Sequence, residues 1–315
     1  MGVMMKKKKC VLFLALLLVF ACTVFAQPNS ERKSIQIGIL PDVDSLPFML
    51  ADHQDLFEKQ GVKVELVKFQ SPVERDAAFQ AGKIDGMVGD TLGALFLEQA
   101  GFDISILSTT NGRYGLAAAP QSDITRLEQL ANQAIGVSSN TIIEYLADSL
   151  ATTAGVGEEA VKLIAIPKIP VRMELLLNGQ IPAACLPEPL YSLVISKGAK
   201  PLGDSTSLSD APGVMIFDSA FIQRNRSDLI KVFKAYWEAG QLINANPDDY
   251  RAFLVDQAGF PQPLGPTFSF VTYTKPQIPS KAQIQRVADW MNKRKLLDSV
   301  PTYEALVESF VVQAL

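Results

Sequence analysis

The chain has 315 residues, 48% of them hydrophobic and 20% charged, with a formal net charge of −4. These proportions exclude a disordered chain and allow about two domains at ~100–200 residues each. Without the four lysines at positions 6–9, 25 basic residues face 33 acidic ones, a net charge of −8, which excludes a surface built for nucleic acid or anionic lipid.

In chain order, the basic run at 6–9 precedes an almost wholly apolar stretch at 10–21, and Val24-Phe25-Ala26 places small residues where a signal peptidase cuts. Residues 1–26 are therefore expected to be a signal peptide and the mature protein to be exported to the periplasm. Val19-Phe20-Ala21-Cys22 resembles a lipobox, so membrane anchoring through a lipidated Cys22 stays open beside simple cleavage. Cys10 and Cys22 both lie in the leader. Cys185 then remains alone, and no internal disulfide can form.

After a polar tether come a strand at 35–40, a helix at 47–60 closed by Gly61, and a strand at 62–69. A helix at 72–80 opens on Pro72, followed by a strand at 84–88, a helix at 91–100 and a strand at 104–108. Much of this pattern then recurs. Gly38 corresponds to Gly136, Gly61 to Gly155, Gly82 to Gly179 and Ile84 to Ile181 at nearly constant offsets. Each copy alternates strands with helices, the unit of a parallel sheet covered by helices. The expected fold is α/β, with two parallel-sheet lobes. Lobe 1 is 35–116 plus 217–315 and lobe 2 is 117–216, joined by a two-strand hinge around 114–119 and 213–217. From 228 onward the pattern is helical, apart from a Pro- and aromatic-rich return at 260–279.

Enzyme signals are poor. His53 is the only histidine, which excludes a multi-histidine metal site and leaves a Ser-His-Asp triad without its base in the cleft. The phosphate-binding, dinucleotide-binding and nucleophile-elbow motifs are all missing. No catalytic residue, metal or cofactor is expected. Carboxylate-only catalysis on the same fold remains an alternative.

Binding signals fall at the carboxyl ends of the strands, where open parallel sheets hold ligands. The candidate ligand-binding residues there are Asp42, Asp44, Ser45, Phe48, Gln70, Ser71, Asp90 and Thr91 in the first copy. Asn111, Arg113 and Tyr114 follow at the crossing, and Ser138, Ser139, Asn140, Thr141, Glu188 and Tyr191 lie in the second copy. Taken singly, Ser71, Asp90, Ser139 and Asn140 are the residue types that cap helices. As a set they converge on one sheet edge.

The run from Ile37-Gly38-Ile39 through Ala81-Gly82-Lys83-Ile84-Asp85 resembles the solute-binding proteins of ABC importers, as does Leu176 to Ala183 leading into Glu188-Pro189. The branch is the one handling nitrate, taurine, alkanesulfonates and thiamine-pyrimidine precursors. The likeness runs from Ile35 to about Phe253. It implies a type II periplasmic-binding fold, one small-molecule ligand in the cleft, closure by hinge bending, and delivery to an ABC permease in the inner membrane. A monomer with no nucleic-acid partner is expected.

Asp42, Asp44, Asp90 and Glu188 make the predicted cleft loops acidic, with Arg113 as the nearby cation. Anion sites favour Lys, Arg or bare helix N-termini. An acidic cleft instead points to a solute rich in N–H donors, such as a thiamine-related pyrimidine. Phe48, Tyr114, Tyr145, Tyr191 and Phe217 are available as stacking walls. Sulfonate, taurine or nitrate is the alternative. Glu188, between two prolines, is the residue expected to accept ligand N–H groups.

Overall fold

In the computed structural model, residues 34–207, 213–260, 262 and 268–315 are described. The expected signal peptide, with Cys10 and Cys22, lies outside them. Ten strands form two five-stranded sheets. The strands are β1 (Ile35–Ile39), β2 (Val64–Lys68), β3 (Gly86–Asp90), β4 (Ile104–Thr109) and β5 (Tyr114–Ala118), then β6 (Ala134–Val137), β7 (Lys162–Ala165), β8 (Ala183–Pro187), β9 (Lys200–Asp204) and β10 (Gly213–Asp218). The order is β2-β1-β3-β10-β4 in the first sheet and β7-β6-β8-β5-β9 in the second.

The helices of the first half are α1 (Leu46–His53), α2 (Leu56–Lys59), α3 (Pro72–Gln80) and α4 (Thr91–Gln99). Those of the second are α5 (Ile142–Thr153), α6 (Ile169–Leu177) and α7 (Leu190–Ser196). The chain then continues through α8 (Ser219–Ala245), α9 (Arg251–Asp256), α10 (Lys281–Lys293), α11 (Tyr303–Leu306) and α12 (Phe310–Gln313). The helix expected at 47–60 is two helices, because Asp55 adopts a left-handed conformation (φ 55°) between them. No described helix is long and apolar enough to cross a membrane.

The sheets are mixed rather than purely parallel. β10 runs antiparallel between β3 and β4, and β5 antiparallel between β8 and β9. Each of these strands enters from the other sheet by a crossing, not from a helix laid over its own sheet, so nothing forces it parallel. The exchange also moves the expected lobe limits by a few residues. Gly115 and Leu116, assigned above to lobe 1, pair with Leu186 and Cys185 of the second sheet. Val214 to Ile216, assigned to lobe 2, pair with Gly89 to Met87 of the first.

The repeat is exact enough to place side chains. Gly38 pairs with Met87 in the first sheet and Gly136 with Ala184 in the second. A Cβ on Gly38 would stand 2.5 Å from Ile84 Cδ1 and 3.2 Å from Arg75 Cγ, and one on Gly136 would stand 2.8 Å from Ile181 Cδ1 and 3.4 Å from Arg172 Cγ. Each glycine therefore clears the space through which an arginine stem passes from its helix across the sheet. A side chain at either glycine would push an isoleucine tip aside, Ile84 or Ile181, and press on the neighbouring arginine stem.

Candidate functional site

The carboxyl ends of the two sheets meet at a narrow cleft with a free volume of about 30 Å³, room for about one water molecule as it stands. The first half contributes Leu40, Asp42, Asp44, Pro72, Arg75, Val88, Gly89 and Asp90. The second contributes Tyr114, Ser138, Thr141, Ile142, Ile143, Ile169, Arg172 and Pro187. Six of the expected site residues thus meet there: Asp42, Asp44, Asp90, Tyr114, Ser138 and Thr141.

The carboxylates are organised by their own loops and helix starts. Asp42 Oδ1 accepts from Ser45 N at 3.0 Å. Asp44 accepts from Tyr114 Oη at 2.7 Å and from Thr110 Oγ1. Asp90 caps α4, accepting from Gly93 N at 2.8 Å, and its other oxygen accepts from Ile142 N at 3.2 Å. One carboxylate therefore joins the first turns of two helices that belong to different sheets. Burial pushes the Asp42 carboxyl up to about 8, with Asp44 adding to the effect. Burial likewise raises Asp44, against the hydrogen bonds from Thr110 and Tyr114. Asp90 is pushed up to about 6 by burial, with Arg75 and the two backbone N–H groups opposing.

Two arginines complete the cleft, and neither figured among the expected site residues. Arg75, on α3, is 2% exposed and donates Nη1 to Val88 O at 2.7 Å and Nε to Asp76 Oδ1 at 2.8 Å. Arg172, on α6, is 0% exposed and donates Nε to Cys185 O at 2.9 Å, and Nη1 to Ser138 Oγ at 2.8 Å and Ile166 O at 2.6 Å. Its Nη2 is buried with no hydrogen-bond partner. Burial works against the charge on Arg75, but Asp76, Asp90 and Asp42 outweigh it and its pKa ends above the ordinary arginine value. Burial pulls Arg172 down to about 10, opposed only by Cys185.

The other expected residues sit elsewhere. Ser45 and Ser71 cap or brace turns, with Ser45 Oγ accepting from Leu40 N at 3.3 Å and Ser71 Oγ from Glu74 N at 3.3 Å. Thr91 is buried as the first residue of α4. Gln70, Ser139 and Asn140 are exposed. Asn111 pairs with Thr274, its Nδ2 donating to Thr274 Oγ1 at 3.0 Å.

Glu188 does not line the cleft, and its acceptor capacity is already taken. Arg113 donates to it from Nε at 3.0 Å and Nη2 at 2.6 Å, and Ser192 from N at 3.0 Å and Oγ at 2.8 Å. With Arg113 and Tyr191 it borders a separate hollow under α7. The expectation that Glu188 accepts ligand N–H groups is corrected accordingly: Arg113, the residue immediately before β5, occupies this carboxylate within the fold.

Of the aromatic residues expected as stacking walls, Tyr114 lines the cleft. Phe48 packs on Tyr236 with ring centroids 4.8 Å apart, Phe217 on Phe233 at 6.2 Å, and Tyr145 edge-on to Trp290 at 5.6 Å. Among the described residues no group of three or more His, Cys, Asp or Glu is arranged to hold a metal ion.

The model of the NMT1-like family matches residues 28–255. A Brachyspira hyodysenteriae protein named as an ABC transporter periplasmic binding protein is 23% identical over 259 residues, 76% of this chain and 73% of its own length. A Bacillus subtilis protein named as an aliphatic sulfonates-binding protein is 26% identical over 248 residues, 75% of this chain and 73% of its own. Among solved structures, the alkanesulfonate-binding protein SsuA from Xanthomonas axonopodis, bound to MOPS, superposes with a TM-score of 0.75 at 18% identity. The match covers 89% of this chain and 99% of that one, and the shared fold is the type II periplasmic-binding fold.

Proposed function

The chain belongs to the NMT1-like family, and we propose that it is the extracytoplasmic solute receptor of an ABC importer, closing on one small molecule and passing it to a permease. The observation that carries this reading is the cleft itself. It is lined from both sheets by buried ionisable groups, and Asp90 spans it from the cap of α4 to the first turn of α5. The two sheets with their helices act as lobes hinged at the crossings between β4 and β5 and between β9 and β10. The relatives' names support export to the periplasm.

Solute class divides into two readings. A sulfonate-like or nitrate-like anion is supported by the name of the Bacillus relative. A heterocycle rich in N–H donors, such as a thiamine-related pyrimidine, is supported by Asp42, Asp44 and Asp90 on the first-sheet wall. The anion reading is the stronger, since the stacking walls a heterocycle wants are mostly occupied in core packing. Thermal melting of the mature protein against ethanesulfonate, taurine, nitrate and an aminopyrimidine tests the function. A receptor gains melting temperature with one of them and returns it chemically unchanged. A converted product would make it an enzyme on this fold, and no shift with any of them together with no solute retained on purification would remove the receptor reading.

A further inference from the structure

The repeat permits a comparison within one molecule. Arg75 and Arg172 stand at the same offset, 97 residues, as Gly82 and Gly179, and they make the same contact: each donates to the carbonyl of the strand beside it, Val88 in β3 and Cys185 in β8. Their electrostatic surroundings differ completely. Around Arg75 lie Asp76 at 2.7 Å, then Asp90 and Asp42. At the same offset Asp76 becomes Met173 and Asp90 becomes Pro187, and the loop Ser138-Ser139-Asn140-Thr141 that replaces the one holding Asp42 and Asp44 has no carboxylate. Among the described residues, a fully buried guanidinium is thus left without a carboxylate partner and with an unpartnered Nη2, on the wall of the cleft. An uncompensated buried charge is costly, and an acidic group placed against it would relieve that cost.

We infer that Arg172 is the residue that selects the solute, its guanidinium pairing with an acidic group of the bound molecule in the place that Asp76 and Asp90 occupy for Arg75. This rests on the receptor reading and adds to it a residue, a charge and a wall. The anionic end lies against the second sheet, beside Ser138 and Thr141, and the rest of the molecule faces Asp42 and Asp90. Arginine suits the task because its planar fork meets a carboxylate, sulfonate or nitrate with two parallel hydrogen bonds.

The experiment is calorimetric titration of the mature wild type, Arg172→Met and Arg172→Gln with ethanesulfonate, nitrate and an aminopyrimidine as probes. The wild type is expected to bind one of the anions, and both variants to lose roughly ten- to hundredfold of that affinity. Because Cys185 O, Ser138 Oγ and Ile166 O lose their donor, a modest fall in ligand-free melting temperature is expected in both variants. The selecting role is read from affinities measured well below both melting transitions, where a merely structural arginine would leave binding unchanged. Gln keeps much of the shape, so a Met variant that fails to fold leaves the result decided by the Gln variant. An anion bound equally tightly by wild type and variants overturns the role of Arg172 while the receptor reading stands. So does a wild type that binds only the aminopyrimidine. A wild type that binds none of the three and carries no retained solute overturns the receptor reading, and the inference with it.

Discussion

Two halves of one repeat place an arginine at the same point of the same architecture and treat it in opposite ways. Arg75 is enclosed by Asp76, Asp90 and Asp42, whereas Arg172 bonds two carbonyls and a serine hydroxyl and, among the described residues, no acid. The backbone argument is identical for both, since Gly38 and Gly136 clear the same path for the two stems. What differs is the chemistry presented at the cleft. The repeated pattern supplies the frame, and the difference in counter-ions leaves one arginine internally neutralised and the other without a carboxylate partner among the described residues.

The largest expected effect separates the two arginines. Arg75→Met strands Asp76, Asp90 and Asp42 without their cation and should cost about 3–5 kcal/mol in urea unfolding. Arg172→Met strands no carboxylate but leaves Cys185 O, Ser138 Oγ and Ile166 O without their donor, and should cost less, about 1–3 kcal/mol. Equal losses in the two variants would mean that Arg172 has a counter-ion after all.

Next in size is a pH effect confined to the acidic wall. Asp42, held at about 8, and Asp90, held at about 6, both lie above the ordinary carboxyl value of 3.8. The folded state therefore binds these protons more tightly than the unfolded chain does. The stability they contribute is fully present below about pH 4 and is lost as pH rises through 6 and then 8. Melting temperature should fall over that window, and Asp42→Asn should flatten the upper part of the decline, by ~2–4 °C for each kcal/mol involved. A parallel decline in the variant would take Asp42 out of the titration.

Asp90→Asn tests the bridge between the halves. One oxygen is lost as an anionic acceptor, so the α4 cap and the contact to Ile142 N weaken together, for about 1 kcal/mol. A scattering radius larger than that of the wild type is the expected companion. The smallest effect concerns the outer contact between halves. Trp290 Nε1, on α10, donates to Asp148 Oδ2 of α5 at 2.8 Å, and Arg294 pairs with the same carboxylate. Asp148→Asn should weaken solute affinity up to about fivefold, through the open–closed balance and without touching the solute. Unchanged affinity would show that α10 does not hold the cleft closed.

Much of the frame was legible because glycines and strand residues recur at fixed offsets, and those offsets set which strands pair. The swapped strands were harder. Tyr114 to Ala118 and Gly213 to Phe217 are apolar runs of strand length, and nothing local in them tells which sheet they join. The site was read from loops, so Asp42, Asp44, Asp90, Ser138 and Thr141 were within reach. Arg75 and Arg172 were not, because a lone arginine on an amphipathic helix reads as solvent-facing. The available signal was their shared offset of 97 residues together with the glycine facing each stem. Glu188 misled for the converse reason, since only folding brings Arg113 against it.

Native mass spectrometry of the freshly purified mature protein tests the central claim most directly. A receptor that encloses one solute between its two sheets should show a single small-molecule adduct that leaves chemically intact on unfolding, carries an acidic group, and is depleted in Arg172→Met. A bare mass, together with melting curves unmoved by ethanesulfonate, taurine, nitrate or an aminopyrimidine, would contradict it.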